Sequence, residues 1–327
     1  MAFTVALAGD TMLGRNVAEE LRRSPVPGTL VSTGVRKALA EADLFVLNLE
    51  CCVSDRGHRW PDPRKAFFFR APSDAAKVLA ELGVDCVTLA NNHALDYGFD
   101  AMADTRTLLV GAGVHTVGAG ANARAAREFA VLEAGGVRLA VVGVTDHPEE
   151  YAAGESSPGV AWADLNAGVP GWLTESVGRA AAEADVVLVT PHWGPNMTSR
   201  PPRRISAAAP ELLAAGATLV AGHSAHVFHG IADRILYDLG DFVDDYAVDP
   251  VLRNDLGLLF LVTLDGPDAA HLVPARVRAV PLTLDYCHTR LARDEEREWI
   301  RDRLTTACAE FGTAVVDRTG WLTVDWR

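Results

Sequence analysis

Histidines, carboxylates and asparagines stand where apolar runs stop. In VVLVTPHWGPNM, residues 186–197, four apolar residues lead through Thr190-Pro191 to His192. In TLVAGHSAHVFHG, residues 218–230, the apolar run ends at Gly222-His223, and His226 follows. Asp10 follows the first apolar run in FTVALAGDTMLGR, Glu50 ends DLFVLNLE, and Asn91-Asn92-His93 follows VTLA. A single Asp after a strand is ordinarily a turn or cap residue, and Asn-Asn alone is turn chemistry. Five such loops together point instead to one metal-binding rim. Asp, Glu, Asn and His suit a divalent cation of intermediate hardness, such as manganese, iron or zinc; carboxylate and carbonyl oxygen also admit magnesium or calcium.

The elements that must carry these residues alternate. Strands are predicted at 3–8, 43–47, 85–89, 185–189 and 218–221, with a hairpin over 129–133 and 137–144 joined at Gly135-Gly136. Helices are predicted at 16–23, 73–82, 99–110, 173–184 and 205–214. After residue 230 come strands at 235–239, 258–264, 269–273 and 276–284, a helix over 293–311 and a terminal hairpin turning at Thr319-Gly320. Alternating β and α followed by consecutive β predicts a mixed α/β layered domain. In such sheets ligands bind beyond the carboxyl ends of the strands. The candidate residues recur along the chain, so residues 1–327 read as one domain, with a strand and helix extension from about 268.

The totals narrow the function. Of the 327 residues 49% are hydrophobic, enough for a large core. The formal net charge of −13 disfavours nucleic acid or an anionic membrane as partner, while a bound cation would still let the site take an acidic substrate. Five cysteines without a C-x-x-C pair fit reduced thiols and a cytoplasmic location. The N-terminus reads as a first strand rather than a signal peptide, and no apolar run is long enough for a membrane span.

GDTMLGR, NLE, LANNHALDYG, PHWGPN, GHSAHVFHGI and LYDLGDFVDDY occur in the order found in CapA-type capsule-synthesis (poly-gamma-glutamate) proteins. The chain resembles that family, of the metallo-dependent phosphatase (calcineurin-like) superfamily, over about residues 4–265. The resemblance implies a four-layer α/β/β/α sandwich with a metal site at the strand ends. It implies Asp10, Glu50, Asn92, His192 and His223 or His226 as ligands, and His93 as the histidine assisting chemistry beside the metal. The motifs also depart from the superfamily. Met12 replaces the histidine of Asp-x-His, Asn48-Leu49-Glu50 replaces Gly-Asp-x-x-Asp, and the final two histidines are one residue further apart.

Two chemistries follow. One is hydrolysis of a phosphoester or amide with His93 as general acid. The other is epimerisation of a peptide residue at Cα, as in the CapA-like proteins of lasso-peptide gene clusters that the chain also resembles. In that reading Asp10 and His288 are the two acid/base groups. The lost phosphatase ligands favour epimerisation as the leading expectation. The alternatives are a metallo-hydrolase or a capsule-handling protein that binds an acidic polymer. Arg15, beside Asp10, is expected to hold a substrate carboxylate, and Trp193 either to flank the pocket or to pack beneath it in the core. Asp96, Asp241, Asp244 and Asp245 are candidates to orient ligand histidines. His58, His115, His147 and His271 are expected to be ordinary loop or surface residues.

Overall fold

A computed structural model describes residues 1–326. The first strand, β1 (Ala2–Thr11), is followed by β2 (Leu44–Leu49), β3 (Cys86–Thr88) and β4 (His115–Val117). Next come β5 (Ala130–Ala134), β6 (Val137–Thr145), β7 (Val186–His192) and β8 (Leu219–Ala221). The short β9 (Ile231–Ala232), β10 (Ile235–Leu236) and β11 (Asp241–Val243) lead to β12 (Leu256–Asp265) and β13 (Val273–Leu284). The last are β14 (Thr289–Leu291), β15 (Val316–Arg318) and β16 (Trp321–Asp325). One sheet runs in the order β15-β16-β13-β12-β1-β2-β3-β4, the other β9-β10-β8-β7-β6-β5. In the first, β1 to β4 are mutually parallel; in the second, β6, β7, β8 and β10 are.

Period-two patterning explains the layers. Phe3, Val5 and Leu7 of β1 share one core with Leu139 and Val141 of β6 and with Val186 and Leu188 of β7, so the two sheets pack face to face. The alternate residues Ala6 and Ala8, with Phe45 and Leu47, face outward. They meet α1 (Arg15–Arg23), α2 (Thr33–Leu39), α3 (Ala75–Glu81) and α4 (Gly98–Gly111). On the far side Val187 and Val189 meet α5 (Gly171–Glu183) and α6 (Arg203–Ala214). The result is the α/β/β/α sandwich that the family resemblance implies.

Three expectations are corrected. The 269–273 strand is a 3₁₀ turn, Ala269–His271, closed by His271 Nδ1 on Asp268 at 2.6 Å, and the strand after it runs unbroken from Val273 to Leu284. The 235–239 strand stops at Leu236, because the Asp238 carboxylate takes the Ala225 and Gly240 amides and turns the chain. The first strand continues past residue 8 to Thr11, which sets Asp10 inside the strand, level with Asn48 and Asp241. Gly9 makes this possible: a Cβ there would stand 1.9 Å from the Gly240 carbonyl oxygen, the acceptor of the Asp10 amide.

The last helix, α7 (Asp294–Ala309), closes the inter-sheet core with Ile300, Leu304 and Cys308. Its start depends on Glu296. That carboxylate accepts the Arg293 amide at 2.9 Å, the Thr283 hydroxyl at 2.9 Å and two Arg290 guanidinium hydrogens at 2.8 and 2.7 Å. The Arg290 bonds hold its pKa down at about 2 against an ordinary 4.5. A depressed carboxylate contributes stability above its unfolded pKa and loses it as pH falls through the folded one. Glu296→Gln is therefore expected to cost about 1 kcal/mol near neutral pH, since the group is partly open to solvent. Urea melts should show that difference narrowing between pH 4.5 and pH 2.

Candidate metal centre

The parallel strands of both sheets end at one rim, and β1, β2, β3, β7 and β8 deliver side chains there. Asp10 comes from β1, Asn48 and Glu50 from the end of β2, Asn91 to His93 from the loop after β3, His192 from the end of β7, and His223 and His226 from the loop after β8. All except Asn92 are buried. Asp10 stands at the junction of two ligand groups. With His192 and His223 it forms one set of converging donor atoms, and with His226 and Asp241 another. Its Oδ1 lies 3.8 Å from Nδ1 of both His192 and His223, and its Oδ2 lies 3.4 Å from Nδ1 of His226.

Neighbouring groups fix these residues. The Asn48 amide donates to Asp10 Oδ1 at 2.7 Å, and the Ser224 backbone donates to Oδ2 at 3.2 Å. Asn91 donates to the Asn48 side chain and to the Leu49 carbonyl, and accepts the His93 amide, so it shapes the loop. His223 Nε2 is 3.0 Å from the Thr190 hydroxyl, and the two Nδ1 atoms of His192 and His223 are 2.9 Å apart. His226 Nδ1 meets Asp241 at 2.8 Å.

The donor set suits a divalent cation. Both Glu50 oxygens, Asn92 Oδ1, His192 Nε2 and Asp241 Oδ2 are buried without a hydrogen-bond partner. Such orphaned groups call for an ion. Burial, with Asp10 second, pushes the Glu50 carboxyl well up, and burial raises Asp10, Asp238 and Asp241 as well. Burial holds His223 at about 3 and His192 well below its usual value, which leaves neutral imidazoles of the kind metals bind. Burial also acts to lower His226, but the carboxylates of Glu50, Asp10, Asp238 and Asp244 outweigh it and raise that ring.

His93 is held differently. Its Nδ1 is 2.7 Å from Asp96, its ring stacks on Phe69 at 4.2 Å, and its Nε2 is 3.8 Å from Glu50. Asp96 also takes the Phe69 amide at 2.6 Å and the Lys65 ammonium at 2.9 Å. Lys65 in turn donates to the Asn92 carbonyl at 2.8 Å. Burial lowers the His93 pKa against the pull of Asp96.

A cavity of about 360 Å³ opens over the centre, lined by His93 and His226 and by Arg15, Phe69, Met197 and Tyr246 among others. Arg15 is anchored by Asp245 at 3.3 Å. Of the two places open to Trp193, it takes the core and does not line the pocket. It is 3% exposed, its indole donates to the Tyr237 carbonyl at 2.9 Å, and it packs against Gly222, where a Cβ would stand 2.3 Å from Nε1. His288 does not line this cavity; its Nδ1 sits 3.1 Å from the Thr29 carbonyl. His229 is turned to the Thr198 carbonyl.

Two residues of the rim escape sequence reading. His147 is corrected from an ordinary loop residue: Nδ1 is 2.5 Å from Asp146, its ring lies 5.2 Å from that of His192, and with Asn92 it lines a neighbouring cavity of about 300 Å³. The signal was present, since His147 stands two residues past the end of β6 as His192 stands at the end of β7. Asp238 had no such signal; its role is to hold the loop that presents His226.

The family model described as bacterial capsule synthesis protein PGA_cap matches residues 4–246. A probable polyglutamine synthesis accessory protein of Mycobacterium tuberculosis is 31% identical, covering 96% of this chain and 93% of its own. The capsule biosynthesis protein CapA of Bacillus anthracis is 30% identical over 74% of this chain and 60% of its own. A hypothetical protein from Thermus thermophilus superposes with a TM-score of 0.50 at 18% identity, over 86% of this chain and 100% of that one, a likeness of fold alone.

Proposed function

The chain belongs to the bacterial capsule synthesis protein family PGA_cap, and from that premise we propose that it is a metal-dependent hydrolase acting on an amide or phosphoester bond of an acidic peptide or polyglutamate-like substrate. The observation that carries this reading is Asp10 shared between two converging ligand groups, with an oriented histidine, His93, at their edge. Asp10, His192, His223, His226 and Asp241 would hold the cation, with Glu50 and Asn92 offering unpartnered oxygens beside them. A divalent cation there supplies Lewis-acid polarisation and acidifies a water; manganese, iron or zinc suits the mixed nitrogen and oxygen donors.

The protein's own groups do the rest. Asp96 fixes the His93 ring through Nδ1, leaving Nε2 on the cavity side to exchange a proton with substrate. Arg15, fixed by Asp245, offers a guanidinium to a substrate carboxylate. Phe69 and Tyr246 limit water around the reacting group.

Epimerisation at a peptide Cα is the weaker reading. It needs two acid/base groups on opposite sides of one carbon. Asp10 has both oxygens engaged and is 1% exposed, and His288 is bonded at Thr29 outside the cavity. The test sets manganese-loaded against chelator-treated protein. Glutamyl peptides and aryl phosphates are supplied, and products are followed by mass spectrometry in heavy water. Cation-dependent cleavage is expected. Deuterium entering Cα of an uncleaved peptide would replace hydrolysis with epimerisation.

A further inference from the structure

Far from the metal rim, the outer face of the first sheet carries the far ends of β12, β13 and the final hairpin. A cavity of about 410 Å³ lies there. Arg276 and Arg278 of β13, with Arg318 and Trp321 of the final hairpin, line it above Thr263 and Thr323. Thr4 also lines it, six residues before Asp10 on β1. At about 3.3 Å per residue, that puts the cavity roughly 20 Å from the metal centre.

We propose that this cleft is a second, non-catalytic binding site for an acidic chain with closely spaced carboxylates. The charge is the first argument. The protein carries −13 overall, yet the cavity lining has three arginines against one acid, Glu41. An acidic chain repelled by most of this surface is attracted here.

Preorganisation is the second. Arg276 is held by Asp325 at 2.6 Å, and Arg278 by Glu41 and by the Trp321 ring, 5.1 Å from its guanidinium carbon. Each guanidinium has five N–H donors, so these anchors leave hydrogens for a carboxylate. Among the described residues no acid pairs with the Arg318 side chain, which is exposed. The hydroxyls of Thr263 and Thr323 add neutral donors on the floor. Three separate cations, rather than one clamp, fit a ligand with repeated charges, whose affinity grows with length.

The site does not depend on the proposed hydrolysis, and its test reads binding, not turnover. Chelator-treated protein is titrated by calorimetry with L-glutamate oligomers of two and ten residues. The decamer is expected to bind at least about tenfold tighter than the dimer, and to weaken as salt rises. Arg318→Glu should weaken the decamer about tenfold or more, and Arg318→Lys should restore most of it, since this exposed side chain holds no internal ion pair. Small-substrate turnover should be unchanged in both variants. Equal decamer binding by Arg318→Glu and the unaltered protein, or no binding by either, overturns the proposal. So does a thymidine decanucleotide that binds more tightly and shows the same Arg318 dependence, because the occupant would then be nucleic acid.

Discussion

Replacing His93 by alanine should lower kcat by about 10²- to 10⁴-fold, the range of a positioned acid/base group, while cation binding stays intact. The reason is geometric. His93 is absent from both ligand groups around Asp10, and its ring is bonded to Asp96 and stacked on Phe69. Its removal deletes a proton carrier without deleting a ligand. Asp96→Asn should reproduce part of the loss, because an amide can still meet the ring but no longer carries the charge that stabilises its protonated form. Steady-state kinetics with metal analysis separates the cases. A His93→Ala protein that loses its cation would make the residue a ligand, and one that keeps full kcat would remove it from the chemistry.

The second large effect belongs to Asp10. Asp10→Ala should weaken cation binding at least about 100-fold, since loss of even an outer partner of a ligand costs about 10- to 100-fold. Turnover falls with it. Thermal stability should respond differently with and without the cation. A cation at a hundredfold excess over its Kd stabilises the folded protein by about 2.7 kcal/mol, and the variant should lose that increment. In chelator, however, the variant should melt close to the unaltered protein. Removing Asp10 relieves crowding among buried acids, since its charge helps to raise Glu50, Asp238 and Asp241. Scanning calorimetry with and without manganese reads both. A variant that keeps the cation-induced rise in Tm would show that Asp10 is not the shared ligand.

Much of the architecture was legible because burial on both faces leaves unbroken apolar runs, and the runs of β1, β2, β3, β7 and β8 led into polar residues that the sheets then placed at one rim. Asp10 and His192 lie near the ends of β1 and β7, Glu50 directly follows β2, and Asn92, His223 and His226 lie in the loops after β3 and β8. Local reading went wrong where a tertiary partner decides. His147 looked like a loop residue because its strand ends at Thr145, two residues before the histidine. Asp238 acts through the Ala225 amide of another segment, which no spacing rule reveals. The arginine cleft joins β13 to a hairpin that follows a whole helix later in the chain, with one cation per strand or two, so no charge run marks it.

The proposed chemistry depends on Asp10, His192, His223, His226 and Asp241 holding a divalent cation. Anomalous diffraction at the manganese edge, from crystals soaked in manganese chloride, tests this most directly. The expected result is a peak bounded by Asp10 and the three histidines that disappears in Asp10→Ala crystals. Absence of a peak there in crystals of the unaltered protein, with manganese bound only elsewhere, would contradict it.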